Sequence, residues 1–229
     1  MDTAAYTGMV TSSYFYPPLW KPKSLQEQIR LMYRRYPYLR SPDFHDITLQ
    51  GGDSIFDGIF VIPKLTSLAS TFRNTDPFGG DYIFMIQNFP ILAFLQQQRR
   101  ITVSLGNEQV VMTREAKSAI ERLERQYESD YFFVTAQTGL KFAGVSPLLA
   151  TQSIVSPEFP LPLWCVIHIL LTHLERLTNW DSLGIYCAGD LIGGNVFSVP
   201  YIRRIFDGRI VIETGARAEG ILGVATGTV

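Results

Sequence analysis

The apolar segment that begins at Pro162 constrains the fold more than any other part of the chain. From Leu163 to Leu177 apolar residues recur at intervals of three and four, which is the period of an α-helix. The first three turns are apolar on nearly every side, as expected of a helix enclosed by the fold. The uninterrupted run ends at His168, well short of the ~20 apolar residues that a bilayer span needs. We therefore predict a buried core helix over residues 162–178, opened by a proline that a first helical turn tolerates.

The remaining patterns predict a single α+β domain with a mixed, mainly antiparallel sheet covered by a few helices. Hairpins outnumber regular strand–helix alternations, and this favours the α+β class. Apolar periodicity and capping residues place further helices at residues 24–36, 66–72, 90–98 and 113–128. Hairpins are predicted over residues 101–113, 130–145 and 197–213. The β-favouring run at residues 82–86 predicts a strand buried on both faces.

Residues 1–23 form an aromatic, proline-rich segment ahead of this domain, which spans residues 24–229. The prolines exclude a regular helix, but the segment is too aromatic to stay free in solution. We expect an extended arm that packs on its own chain. The alternative is an arm that docks on a partner subunit and so builds a homo-oligomer.

Composition limits the class of protein. The chain is 46% apolar and 18% charged with a formal net charge of −1, and it contains no long run of lysine or arginine, so nucleic acid is not an expected partner. The N-terminal residues lack the basic and apolar regions of a signal peptide. The two cysteines, Cys165 and Cys187, lie in apolar sequence typical of reduced core thiols. We expect a cytoplasmic protein with no membrane partner.

One polar stripe crosses the predicted core helix. His168, Thr172 and Glu175 stand at i, i+4 and i+7, which places them on one helical face. A buried imidazole and a carboxylate shift each other's pKa, and catalytic acids and bases need such shifts. The plainer interpretation is a satisfied buried hydrogen bond beside an exposed glutamate. We assign His168 and Glu175 as candidate catalytic residues and Thr172 as a candidate ligand-binding residue.

Three other residues complete the candidate site. Asp190 follows a predicted strand, and because loops at strand ends often carry sites it is the third candidate catalytic residue. Cys165 and Tyr186 are candidate ligand-binding residues, although a nucleophilic Cys165 would need an exposed setting that its apolar neighbours do not favour. His45, between two aspartates, is a weaker candidate. The chain has no CxxC or HExxH spacing, so we expect no metal and no cofactor.

Several short pieces of sequence occur in a familiar order: Arg35-Tyr36-Pro37 at a helix end, the strand and turn at 131–139, Val145-Ser146-Pro147, Leu161-Pro162-Leu163, Val199-Pro200 and the tail at 220–226. In this order the chain from Leu25 onward resembles a family of uncharacterised bacterial proteins, a domain of unknown function. It departs from the family pattern at residues 188–190, where the family has an arginine, and by lacking a tryptophan after Trp180. The resemblance implies a bacterial protein, and no site residue follows from it.

Two classes of function remain open. In the first, the protein binds a small apolar or aromatic ligand in an aromatic-lined pocket, as a binder or as a cofactor-free biosynthetic enzyme, with His168, Glu175, Tyr186 and Asp190 orienting the ligand. In the second, it is a non-catalytic interaction or structural protein whose aromatic surfaces bury against a partner. A ligand site predicts that the polar stripe opens into a cavity, whereas an interaction module predicts a closed, hydrogen-bonded stripe. The number of polar groups on so apolar a helix favours the first.

Overall fold

A computed structural model describes residues 8–17, 20–42, 56–72, 75–97, 100–105 and 109–229. The helices are α1 (Leu25–Arg35), α2 (Leu65–Ala69), α3 (Tyr82–Ile86), α4 (Leu92–Gln97), α5 (Arg114–Gln126), α6 (Pro147–Ser153) and α7 (Leu163–Thr172). The strands are β1 (Gly58–Pro63), β2 (Ile101–Val103), β3 (Val110–Met112), β4 (Tyr131–Ala143), β5 (Glu158–Pro160), β6 (Gly184–Tyr186), β7 (Asp190–Ile192), β8 (Val199–Arg204), β9 (Ile210–Gly215) and β10 (Leu222–Thr228). The predicted single α+β domain is confirmed.

Most strands in the described part of the chain belong to one mixed sheet. Seven of them follow the order β1-β4-β10-β6-β8-β9-β2, and β5 adds to β10 as the eighth. Among these described strands only the pairs β10–β6 and β2–β9 are parallel, so the sheet is mainly antiparallel, as predicted. The long strand β4 pairs with β1 through its first half and with β10 through its second. Strands β3 and β7 form a small second sheet that carries Asp190.

The predicted helix caps at Ser24 and Thr113 and the predicted hairpin near the C-terminus are confirmed. The Ser24 hydroxyl accepts a hydrogen bond from the Glu27 N–H at the start of α1, and the Thr113 hydroxyl accepts one from the Ala116 N–H at the start of α5. Each such cap stabilises its helix by about 1 kcal/mol. Strands β8 and β9 form the predicted hairpin around the turn at residues 205–209.

The strand predicted at residues 82–86 is wrong, because this segment is helix α3. The helix continues through a π-helical turn, Gln87–Ile91, into α4, so Pro90 lies inside it and not in a first turn. The side chains of Tyr82, Met85 and Ile86 are buried at intervals of three and four. This helical period, and not the β propensity of the individual residues, decides the local structure.

The hairpins predicted over residues 101–113 and 130–145 are also wrong. Strand β2 pairs with β9 and strand β3 pairs with β7, so the two segments have separate, distant partners. Strand β4 runs straight through the predicted turn at residues 137–139. The Gln137 side chain there is buried, donates to the Val224 carbonyl at 2.8 Å and accepts from the Gly139 N–H at 2.7 Å. A polar run that resembled a turn is thus a hydrogen-bonded part of the sheet.

Helix α7 is the predicted core helix, and all ten of its residues are buried. It ends at Thr172, earlier than predicted, because His173 adopts φ −131° and ψ 54°. A separate 3-10 turn, Leu174–Leu177, follows. The His173 ring explains the break, since its Nε2 accepts a hydrogen bond from the Lys23 N–H at 2.8 Å.

The described part of the arm, residues 8–17 and 20–23, lies against its own domain. The Val10 N–H donates to the Gly144 carbonyl at 2.8 Å, and the Leu183 N–H donates to the Phe15 carbonyl at 3.3 Å. Gly144 has φ +75°, and a Cβ atom on it would lie 2.1 Å from the Val10 carbonyl oxygen. Only glycine therefore permits this close approach of arm and domain.

Candidate functional site

His168, the first candidate catalytic residue, is closed off by protein on both sides. Its Nδ1 lies 2.8 Å from the Trp164 carbonyl, which can only accept, so Nδ1 carries the proton. Its Nε2 then accepts a hydrogen bond from the Tyr36 hydroxyl at 3.1 Å. The ring is fully buried, and this burial lowers its pKa to about 3. A neutral imidazole with both nitrogens engaged has the properties of a satisfied core histidine.

His168 and Thr172 share one face of α7, but Glu175 does not continue it, since the helix ends at Thr172. The Thr172 hydroxyl is buried and donates to the Ile169 carbonyl at 3.0 Å. Glu175 lies beyond the break, nearly half exposed, in an ion pair with Lys23 of the arm. The predicted single face is therefore wrong for Glu175 alone, and within the described residues His168 and Thr172 are enclosed and hydrogen-bonded. A catalytic role for these residues stays a prediction.

Asp190 is the carboxyl group that the fold buries most completely. Its Oδ2 accepts hydrogen bonds from the Leu163 N–H at 2.7 Å and the Tyr82 hydroxyl at 3.1 Å. The first of these caps α7, whose own N-cap residue is a proline without a side-chain acceptor. Its Oδ1 is buried and has no hydrogen-bond partner among the described residues. Burial outweighs the two donors and raises the pKa of Asp190 to about 8.

Cys165 and Tyr186, the candidate ligand-binding residues, lie in different parts of the interior. Cys165 is fully buried in the main core, and burial raises the pKa of its thiol well above the usual value, so the thiol stays protonated at neutral pH. Tyr186 belongs to a second hydrophobic cluster, where its hydroxyl donates to the Arg217 carbonyl at 3.0 Å. Both cysteines are free thiols, as predicted. The six candidate residues therefore do not converge on one cavity.

His45, the weaker candidate, lies outside the described residues.

A buried arginine, Arg176, contacts the arm, and the sequence analysis did not single it out. Arg176 is fully buried, and its guanidinium donates to the Thr138 hydroxyl and to the Thr138 and Leu183 carbonyls at 2.8–2.9 Å. It lies 4.0 Å from the centre of the Tyr16 ring, within cation–π distance. No local pattern predicts this cluster, because its members come from distant segments.

A pocket of the size of a ligand site lies elsewhere, between α5 and α6. This α5–α6 pocket has a volume of about 590 Å³. Its other walls are formed by β5, by the start of β8 and by the loop between β7 and β8. Its apolar walls are formed by Ala119, Pro147, Leu148, Ile154, Phe159, Leu191 and Val199. The walls are thus mostly aliphatic, with Phe159 as the aromatic residue among the described ones.

Two arginines on one face of α5 give the α5–α6 pocket a charged rim. Arg114 and Arg122 both line it, and neither side chain forms an ion pair or a hydrogen bond with the described residues. Glu115 brings one negative charge to the same rim. The other acidic lining residue, Glu158, is engaged with Lys141. Among the described residues of the rim, the charged side chains without an ion-pair partner are therefore two arginines and one glutamate, which gives a net charge of +1.

The sequence contained part of the signal for this pocket. The capping at Thr113 that predicted α5 also fixes where this helix begins, and that beginning lines the pocket. The Thr113 N–H donates to the Gly189 carbonyl at 2.8 Å and so ties α5 to the strand pair β3–β7. Nothing in the sequence indicated that α5 and α6 face each other, because this depends on the pairing of β3 with β7.

Among the described residues, no group of three or more histidine, cysteine, aspartate or glutamate side chains is arranged to hold a metal ion. In the same part of the chain, no helix has the length and apolar character needed to cross a bilayer. Comparison with protein-family models, with curated proteins and with solved structures finds no match to this chain.

Proposed function

We propose that this protein binds a small molecule with an apolar body and one acidic group in the α5–α6 pocket. The observation that carries the proposal is the combination of an apolar cavity of about 590 Å³ with two unpaired arginines at its described rim. Ligand pockets in proteins typically measure about 300–1,000 Å³ and combine apolar walls with a few polar groups. The α5–α6 pocket agrees with this description in both size and chemistry.

The rim supports an acidic group on the ligand. Arg114 and Arg122 lie eight residues apart on α5, and both line the same opening. Guanidinium groups bind carboxylates and sulfonates through charge-assisted hydrogen bonds. A ligand carboxylate would also offset the charge imbalance of the rim, where Glu115 balances only one of the two arginines.

The proposal is one of binding. The described lining holds the hydroxyl groups of Ser118, Thr151 and Ser156, and among the described residues none of these is hydrogen-bonded to a glutamate of the pocket, as an activated nucleophile would be to its base. The buried His168, Cys165 and Asp190 are assigned structural roles in this account, since each is enclosed by the core and the first and last are hydrogen-bonded within it. Two buried free thiols support a reducing compartment such as the cytoplasm.

The experiment uses two fluorescent probes of similar shape. One is 1-anilinonaphthalene-8-sulfonate, which carries an acidic group, and the other is the neutral N-phenyl-1-naphthylamine. Leu148→Glu, which places a charge in the apolar wall, is expected to weaken binding of both probes about tenfold or more. The same substitution at Leu140, an exposed leucine of β4, is the matched control and is expected to leave both affinities unchanged.

A second pair of variants tests the acidic group. Arg122→Gln is expected to weaken the sulfonate about fivefold, which corresponds to about 1 kcal/mol, and to leave the neutral probe unchanged. Arg125→Gln, on the same helix but away from the pocket, should affect neither. Absence of saturable binding to the wild-type protein would overturn the proposal. Equal weakening by Leu148→Glu and Leu140→Glu would overturn it as well.

A further inference from the structure

A chain of contacting aromatic side chains lies on the side of the molecule formed by α1, α3 and α4, with its inner rings, Tyr36 and Phe89, buried and its outer members exposed. The Phe72 ring packs edge-on against Phe84 and Phe89, with centroids 5.2 and 5.8 Å apart. Phe89 packs against Tyr36, which in turn packs against Tyr38. Tyr38 and Leu92 line the same shallow cleft. We call this chain of side chains the aromatic patch.

The outer members of the aromatic patch are unusually exposed. The exposed fractions are 42% for Phe72, 37% for Phe84, 45% for Leu92 and 56% for Tyr38. Isolated exposed apolar residues are common on protein surfaces, but contiguous apolar groups of this kind mark interaction sites. The structure therefore presents a surface that is suited to covering by another protein.

Opposite charges stand at the two ends of the patch. Asp81 precedes Phe84 by three residues, so it lies on the same helical face at the start of α3. At the other end, the exposed Arg34 of α1 lines the cleft together with Tyr38 and Leu92. The patch is thus acidic at one end, apolar in the middle and basic at the other.

This arrangement is complementary to itself. In a two-fold symmetric dimer, the same patch on each subunit meets its copy in the opposite direction. The acidic end of one copy then faces the basic end of the other, and the apolar centres meet. We propose that the aromatic patch is the interface of a homodimer, in which Asp81 of each copy pairs with Arg34 of the other. The arm does not take part, since its described residues are seated on their own domain.

The test is the concentration dependence of molar mass, measured by analytical ultracentrifugation from about 1 to about 200 μM, the range in which micromolar association shows. The wild-type chain is expected to form dimers within this range. Leu92→Glu should weaken dimerisation about tenfold or more, because it buries a charge in the apolar part of the interface. Phe206→Glu is the matched control on the β8–β9 turn, where Phe206 is 85% exposed, and should leave the dimer unchanged.

Charge reversal tests the pairing. Arg34→Glu and Asp81→Arg should each weaken the dimer, and the protein with both changes should regain most of the wild-type affinity because the charges are exchanged. Circular dichroism checks that each variant is folded. A wild-type chain that stays monomeric at every concentration would overturn the proposal, as would an unchanged dimer in Leu92→Glu. Failure of the double variant to recover would overturn the pairing of Asp81 with Arg34.

Discussion

Replacing Asp190 by asparagine should remove a large pH dependence of stability. Burial raises the pKa of this carboxyl group from 3.8 to about 8, so the folded chain holds its proton at pH 7. In the unfolded chain the same group loses its proton above about pH 4. Between these two values the folded state binds one more proton than the unfolded state, and stability therefore falls as pH rises.

The magnitude follows from the pKa difference. Each pH unit between about 4 and about 8 lowers the free energy of unfolding by about 1.4 kcal/mol, which gives about 2.7 kcal/mol from pH 5 to pH 7. The contribution is fully present below the unfolded pKa and is lost as the pH rises through the folded pKa of about 8. Asparagine keeps an oxygen that can accept from the Leu163 N–H and the Tyr82 hydroxyl, but it does not titrate.

Urea unfolding of both proteins at pH 5, 6 and 7 measures the effect. Subtracting the two free energies of unfolding cancels the titration of His168 and His173, which both proteins retain. The difference, the Asp190→Asn variant minus wild type, is expected to increase by about 2.7 kcal/mol from pH 5 to pH 7. Asp181→Asn, at an exposed position, is the matched control for the loss of one carboxylate. A difference that does not change with pH for Asp190→Asn would contradict the raised pKa of Asp190 in the folded protein.

Three further substitutions test other parts of the structure. Arg176→Met should lower the free energy of unfolding by about 3–5 kcal/mol, because it leaves the buried partners of the guanidinium unpaired. Urea unfolding measures this change, and a loss below about 1 kcal/mol would contradict the prediction. Gly144→Ala should lift the arm from the domain, seen as faster hydrogen exchange at the Val10 amide, and unchanged exchange would count against the close approach. His168→Ala should lower the free energy of unfolding by about 2–4 kcal/mol but leave the affinity for the sulfonate probe unchanged. A folded variant that no longer binds the probe would indicate that His168 belongs to the ligand site.

The sequence predicted those elements whose signal is local. The caps at Ser24 and Thr113 and the turn of the β8–β9 hairpin each depend on residues within one or two turns of chain, so they formed where predicted. The apolar run of α7 likewise predicted a buried helix. Its early end was not predictable, because His173 is held by a backbone N–H from Lys23, 150 residues away in the sequence.

The errors arose where long-range pairing outweighs local preference. The apolar residues at 82–86 satisfy both a buried strand and a buried helix, and only packing decides between them. The polar run at 137–139 resembled a turn, but β10 supplies partners for Gln137 there. The polar residues of α7 and Asp190 were singled out as candidate site residues, yet the core itself satisfies most of their hydrogen bonds. The α5–α6 pocket depends on the same long-range pairings and was not predicted.

The location of the bound probe is the most direct test of the proposed binding site in the α5–α6 pocket. Amide resonances of ¹⁵N-labelled protein can be followed by NMR during titration with 1-anilinonaphthalene-8-sulfonate. We predict saturable shifts centred on the residues around the α5–α6 pocket, such as Ala119, Thr151 and Val199. Shifts centred on His168 and Thr172 of α7, with none around the pocket, would contradict the account.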